Sequence, residues 1–409
     1  MADIKTQRTE VRELAWRVAA IAGSAENAAI CRRWCDVNDL RKPDRAPVWC
    51  RPAGAWDELL PETALRCPEP WLREWERELR MILLKHDIGD DSPVNPWLEV
   101  EAVWRCDPPD IWGLPVARHQ PDRPGGAWAY DPPLKTERDF DRLVLPQFEY
   151  DNGATEAKLG RAHDLLGDIL PVRVRCHPPL GGSLAVYAAE LRGLSELMLD
   201  MAEAPERVHR LMAHLRDGVL GSLRQVVATG RLTPNHRGPM AYSMFSDPIA
   251  PAPADGRLDC RHLWLWTDSQ ELEQVSPAMW EEFCLAYQRP IVELFGRSAY
   301  GCCENLTHKI DGVLSLPNLR VFVASAWTDL DRVIEKAGPR YAIQWRQKAS
   351  DVVFPDDVAA IQRHLEDGAR RLRGCHYHIV LRELQTLAGH PDRLHAWTKL
   401  AIATAEKYA

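Results

Sequence analysis

The chain has 409 residues, of which 45% are hydrophobic and 27% charged, and a formal net charge of −8. This suffices for a large buried core in one large domain or two ordinary ones, and the negative balance without long single-sign runs argues against nucleic acid or an anionic membrane as the main partner. No window approaches the roughly 18 consecutive apolar residues of a membrane span, and the amphipathic start MADIKTQRTEVRELAWRV lacks the apolar stretch of a signal peptide, so a soluble cytoplasmic protein with a small organic ligand is expected.

The first 40 residues space Val11, Leu14, Ala15, Val18 and Ile21 at helical intervals, which predicts a helical cap over 1–45. APVWCR (46–51), bounded by Asp44 and Gly54, predicts a short strand, and PWLREWERELRMILLK (70–85) a helix opened by proline. Between 106 and 153, Pro108, Pro109, Pro115, Pro121, Pro124, Pro132 and Pro133 with intervening glycines predict a long covering loop, a lid. From Thr155 the pattern becomes regular. It predicts a helix to about Leu166, an alternating strand LPVRVRC (170–176), and helices over 195–230 that meet near Pro205. There follow helix 276–296, strand 298–303, strand 319–325, helix 328–337, strand 341–345, helix 355–371, strand 376–381 and helix 391–407. Alternation at this spacing predicts an α/β fold, a (β/α)8 TIM barrel over 46–409, in preference to an open doubly wound sheet. Eleven cysteines, an odd number scattered along the chain, suit a reducing compartment better than a disulfide framework.

The stretch SAYGCCE (298–304) places two thiols and a carboxylate at the end of a predicted strand. Alternation turns Cys302 and Glu304 to one face and Cys303 to the other, unless the strand has already bent. A thiolate, a carboxylate and an imidazole at the C-terminal face of a barrel are donors that zinc accepts with one coordination position open. The candidate metal set is therefore Cys302 or Cys303, Glu304 and His378, with Cys375 in reserve; packed small thiols and a hydrogen-bonded core histidine are the structural alternative. HLWLWTD (262–268) offers Trp264 and Trp266 at strand spacing as an aromatic wall or as core. Arg346, Lys348 and Arg382 fall on or after the last two predicted strands, where barrels gather anionic groups. Arg175 and His177 end an earlier one.

Five stretches together resemble the uroporphyrinogen decarboxylase-like superfamily, and within it the branch of corrinoid-linked methyltransferases. They are PVWCRPAG (47–54), APERVHRLM (204–212), TDSQELEQVSPAMWEEFCLAYQRPIVELFG (267–296), YGCCENLTHKID (300–311) and GCHYHIVLRELQTLAGHPDRLHAW (374–397). The resemblance spans nearly the whole chain and implies the same barrel. The decarboxylases' arginine-glutamine-alanine-glycine-arginine loop is matched by Arg51, Ala53 and Gly54 but not by Pro52 and Ala55, and Leu98 stands where they place an aspartate. Half of the clamp for a porphyrinogen's carboxylates is gone, so that substrate is not expected. Tyr300 stands at the histidine and Cys302 at the first cysteine of the methyltransferases' zinc-binding His-x-Cys pair, and YAIQWRQKA (341–349) lacks their later cysteine. Asp268, Ser269 and Gln270 occupy the place of the relatives' Asp-Ser-Trp substrate segment.

The expected function is a zinc-dependent methyltransferase that demethylates a small methoxy or methylamino compound and passes the methyl to a corrinoid. The chain has no Asp-x-His-x-x-Gly motif, so the corrinoid would come on a partner protein; a small-molecule substrate and a second copy of the chain, as a homodimer, complete the expected partners. Glu304, Asp268 and Arg382 are the candidate catalytic residues, and Arg51, Trp266, Gln270, Arg346 and His177 the candidate substrate contacts. The rival readings are a metal-assisted decarboxylase or lyase, with Arg51, Arg346 or Arg382 holding a small acid, and a non-catalytic ligand-binding barrel.

Overall fold

The computed structural model describes residues 3–120, 129–238, 244–355 and 357–409. Two helices come first, Ile4–Ala22 and Ala25–Asn38, each opened by a side chain that accepts a backbone N–H: Asp3 from Thr6 and Ser24 from Asn27. Eight parallel strands follow along the chain: β1 (Val48–Pro52), β2 (Leu98–Glu101), β3 (Val172–Arg175), β4 (Trp264–Thr267), β5 (Arg297–Tyr300), β6 (Leu319–Ala324), β7 (Ala342–Gln347) and β8 (His376–Leu384). Six of them form one parallel sheet in the order β1-β8-β7-β6-β5-β4, while β2 and β3 pair only with each other. The first strand thus lies beside the last, which curls the sheet into a half-barrel of TIM type.

Among the described residues no ladder closes that sheet onto the β2–β3 pair; side chains span both seams instead. On one side Val48 N donates to Asp91 Oδ2 (2.7 Å) and Cys50 N to Asp90 Oδ2 (2.8 Å). On the other, Asn235 exchanges two bonds with the backbone of Trp264 (2.8 Å each), and Cys176 N donates to Thr233 Oγ1 (2.9 Å). Lys85, buried in the first seam, meets Asp90 and lies 3.1 Å from Cys50 Sγ. A cavity of about 240 Å³ opens there, lined in part by Glu78, Lys85, Asn95, Glu99, Glu101 and Arg175.

Strand alternation sorts the core. Trp49, Val380, Trp264, Ala299, Val321 and Ala342 cluster on the concave side with Trp34 and Val37, so helix Ala25–Asn38 plugs the N-terminal end. Ile343, Trp345, Ile379 and Leu381 point outward into the larger core under the crossover helices. The helix expected over 276–296 contains a π turn at Glu281–Leu285, a local widening common at functional sites.

The expected lid over 106–153 has structure of its own. Strand Trp104–Asp107 pairs antiparallel with Gln147–Tyr150, and Ala117–His119 with Ala129–Asp131. Pro121 and Pro124 lie outside the described residues. The segment is pinned to the helices after β3: Arg192 Nη1 donates to Leu134 O (2.7 Å) and Phe148 N to Gln225 Oε1 (2.8 Å). Among the described residues, no helix is long and apolar enough to cross a membrane.

Close packing of helix Val358–Arg371 on β7 depends on Gly368, where an added Cβ would lie 2.1 Å from the Trp345 ring. Gly368→Ala is expected to destabilise the fold by about 1–3 kcal/mol through overpacking. Gly160→Ala, in helix Asn152–Leu166 with nothing within 4 Å, should stabilise it by about 0.5–1 kcal/mol. Denaturant midpoints of the two variants check the pair.

Candidate active site

At the C-terminal edge of the sheet, β5 stops at Tyr300 because Gly301 turns the chain with φ +112°. An added Cβ there would meet Leu306 Cδ1 at 2.9 Å, so only glycine suits the bend. Strand alternation therefore does not extend to 303. Cys302 and Cys303 lie on one side of the turn, their sulfurs 3.6 Å apart, and Glu304 turns inward to full burial. Its Oε1 accepts Ser269 N (3.1 Å) and its Oε2 accepts Cys302 N (2.7 Å). The carboxylate thus ties the loop after β4 to the loop after β5.

A buried polar network backs this tie. Tyr300 Oη lies 3.1 Å from Ser269 Oγ and 2.9 Å from Gln288 Oε1, and Trp280 Nε1 donates to Ser269 Oγ (2.9 Å). Gln288 Nε2 is within hydrogen-bonding distance of Thr267 Oγ1, Asp268 O and Gly182 O. The loops that follow β3, β4 and β5 are held in one arrangement. Asp268 takes part through its side chain, hydrogen-bonded to Ser183, Trp266 and the backbone of Gln270.

Facing this acidic edge is a basic one. The Arg346 side chain is fully buried; Nε donates to Gln344 Oε1 (2.8 Å), and Nη1 to Cys302 O (2.6 Å) and Glu383 Oε1 (3.0 Å). Its guanidinium carbon lies 5.9 Å from the centre of the Trp266 ring. Arg382 is close enough to feel the charges of Arg346, Arg51 and Cys302. Cys303 Sγ lies 3.1 Å from Glu383 Oε1. Glu383 is the residue beside the thiols that sequence reasoning missed. β1 and β8 pair Cys50 with Leu381 but Pro52 with Leu384, so Arg382 and Glu383 together face the single Arg51. This bulge, with Glu383 at φ +62°, brings to the thiols a side chain that alternation would point away from them. No glycine or asparagine marks it in HIVLRELQ.

The two edges shift each other's protons. Burial, then the Cys302 charge, pushes the Asp268 carboxyl up to about 6, and burial pushes Glu271 up to about 7. Glu304 is raised too, by burial and then by Asp268. A hydrogen bond from Cys303, with Arg346 and Arg382 nearby, pulls the Cys302 thiol down to about 6. Cys303 goes up and keeps the shared proton, since a second thiolate beside the first and beside Glu383 is disfavoured. Burial and neighbouring guanidinium groups lower Arg382 to about 10. The result is one thiolate under arginines, opposite carboxylic acids able to give up a proton near neutral pH.

The donor set expected for zinc does not assemble. His378 is fully buried near the N-terminal end of β8, its Nε2 2.9 Å from Asn38 Oδ1 and its ring 4.8 Å from Trp34; burial drives it down to about 3. Cys375 precedes β8 at that same end, lining a cavity of about 490 Å³ with Lys42, Arg373 and Tyr377. Both oxygens of Glu304 are already engaged by backbone N–H groups. What stays near Cys302 and Cys303 is Glu383, and the Arg346 guanidinium lies 3.0 Å from its carboxylate, a positive charge where a dication would sit. These residues do not fit a zinc site. Among the described residues, the one grouping of three metal-ligand side chains is Cys35, Asp39 and Asp247, and Arg41 and Arg297 neutralise its carboxylates. Of the other expected contacts, His177 follows β3 with a buried Nε2 that has no hydrogen-bond partner among the described residues, and the ring is driven down to about 4 by burial and then Arg175. Gln270 is exposed.

Two measurements probe these shifts. Iodoacetamide at pH 6.5–7 should label Cys302 selectively, with a pH midpoint nearer 6 than 9, because the thiolate is the nucleophile. The other partly exposed thiols, Cys31, Cys106, Cys303 and Cys375, are all raised. Peptide mass spectrometry reads the site, and Arg346→Lys should keep the preference while Cys302→Ser removes it. For Glu271, a folded value of about 7 against an ordinary 4.5 means that the native state binds the extra proton in between. Stability therefore falls as pH rises through that window. Glu271→Gln should raise the melting temperature at pH 8 and leave it unchanged at pH 4.

No family model matches the chain, and no curated protein matches it in sequence. Among solved structures it is similar to a methyltransferase from Methanosarcina mazei, with a TM-score of 0.50 and 11% identity over 93% of this chain and 99% of that one. At that identity the likeness is one of fold.

Proposed function

We propose that the protein is a methyltransferase acting on a small organic anion at the C-terminal edge of a closed (β/α)8 barrel. The observation that carries this reading is the Cys302 thiol, lowered beside Arg346 and Arg382 and facing the raised carboxyl of Asp268. A substrate carboxylate fits Arg346 and Arg382, with Arg51 beside them, and Trp266 supplies an apolar wall.

With the substrate's methyl group over Cys302, the sulfur electron pair forms the new S–CH3 bond while the O–CH3 or N–CH3 bond breaks. The leaving atom keeps the bonding pair: an alkoxide oxygen takes a proton from Asp268, whereas an ammonium nitrogen leaves as a neutral amine and needs none. A corrinoid carried by a partner protein would be the onward methyl acceptor, and departure of the methyl would leave Cys302 as the thiolate again. Glu304 holds the two loops in place, and Gln270 presents its N–H to Asp268. No step is routed through zinc. The same arginines would also serve a decarboxylase, but that reaction leaves the thiolate without a task.

Methylation of free cob(I)alamin in the presence of methoxyacetate or N,N-dimethylglycine, followed by visible absorbance, tests the reading. Wild type should exceed buffer. Cys302→Ser should lose the rate at least 100-fold, and Asp268→Asn about 10²–10⁴-fold, as for loss of a proton donor. Equal rates for wild type and Cys302→Ser would rule the proposal out, and release of carbon dioxide without methyl transfer would favour the decarboxylase.

A further inference from the structure

Two buried polar atoms of opposite character at this edge have no hydrogen-bond partner among the described residues: Arg346 Nη2 and Glu271 Oε2. The rest of Arg346 is committed, with Nε on Gln344 and Nη1 on Cys302 O and Glu383. Its side chain is fully buried, and a buried donor without an acceptor is disfavoured unless another group supplies one, as a ligand would. Glu271 belongs to a group in which Asp268, Glu304 and Cys302 all add negative charge around it. Among the described residues no lysine, arginine or histidine forms an ion pair with Asp268, Glu271 or Glu304; the arginines lie toward β1, β7 and β8. The site therefore has at one end a guanidinium nitrogen, Arg346 Nη2, that lacks an acceptor, and at the other carboxyl groups without an ion-pair partner, Lys309, which feels Glu304, being held by Leu272 O and Glu273 O.

We propose that the substrate is a zwitterion, a small amino acid or N-methylated amino acid, with its carboxylate on Arg346 and Arg382 and its ammonium beside Asp268 and Glu271. This inference rests on the anion-binding reading above and adds the second pole. A plain anion satisfies Arg346 but leaves Asp268 and Glu271 without an ion-pair partner, and a plain amine does the reverse. A molecule bearing both charges satisfies both ends and can bind in one direction only, because turning it round sets like charges against each other. Trp266 suits the methyl groups of an alkylated ammonium: the ring is half-buried and its indole is hydrogen-bonded to Asp268, on the acidic side. In this orientation the N-methyl carbons lie toward Cys302, the one lowered thiol.

Calorimetric titration of the full chain with three probes of nearly equal shape separates the possibilities: N,N-dimethylglycine carries both charges, 3-methylbutanoate only the negative one, and N,N-dimethylethylamine only the positive one. N,N-dimethylglycine should bind at least tenfold more tightly than either of the others. Glu271→Gln should reduce that affinity at least tenfold, to the level of 3-methylbutanoate, without weakening 3-methylbutanoate itself. Arg346→Lys should weaken both carboxylates; should that variant not fold, Glu271→Gln decides alone. If 3-methylbutanoate binds as tightly as N,N-dimethylglycine and Glu271→Gln changes neither, the site is a simple anion site. That result would overturn the zwitterion and leave the proposed function standing. Failure of both carboxylates to bind wild type would remove the anion site and both readings with it.

Discussion

The arrangement at the sheet edge depends on one buried carboxylate. Glu304 spends its two oxygens on the N–H groups of Ser269 and Cys302, residues that begin the loops after two adjacent strands. Backbone N–H groups at strand ends have no ladder partner and must find one. By satisfying both, Glu304 fixes the distance between Asp268 and Cys302. The Tyr300–Ser269–Gln288 network extends the same constraint to the loop after β3. Glu304 thus acts through the groups it positions.

The parallel α/β architecture was legible because it is written in periodicity. Apolar residues alternate along LPVRVRC and AIQWRQ and recur at helical spacing between such segments, and the structure places strands and helices accordingly. The resemblance to known barrels added an order in which to expect them. The site was less legible, since it depends on two departures from periodicity. Gly301 ends a strand three residues before the expected boundary, which moves Cys303 toward Cys302 and withdraws Glu304. The bulge at Arg382–Glu383 adds a carboxylate that strict alternation hides. The placement of His378 failed for a different reason. A residue on an inward strand face can lie anywhere from one end of the sheet to the other, and position near the start of a strand meant the end sealed by helix Ala25–Asn38.

Electrostatics gives the adjacent thiols a fixed cationic neighbour. Metal sites gather thiolates, carboxylates and imidazoles so that a cation balances them. Here the Arg346 guanidinium does that work, touching Cys302 O and Glu383 while lying 4.0 Å from Cys303 Sγ. A fixed organic cation lowers a thiol's pKa as a metal does, but it has no open coordination position to offer a substrate. Its directional N–H groups favour planar anions instead.

The side-chain seams give the molecule an unequal wall. Between β4 and β8, parting neighbouring strands means breaking whole ladders, whereas the β2–β3 pair is fastened to the rest by a few carboxylate, amide and hydroxyl groups, with a cavity beside one of the joins. Each such bond contributes only about 0.5–1.5 kcal/mol net. This leaf is joined by discrete ties, not by a ladder, to the strands that lead to Cys302, Arg346 and Arg382, a panel set into a separate frame.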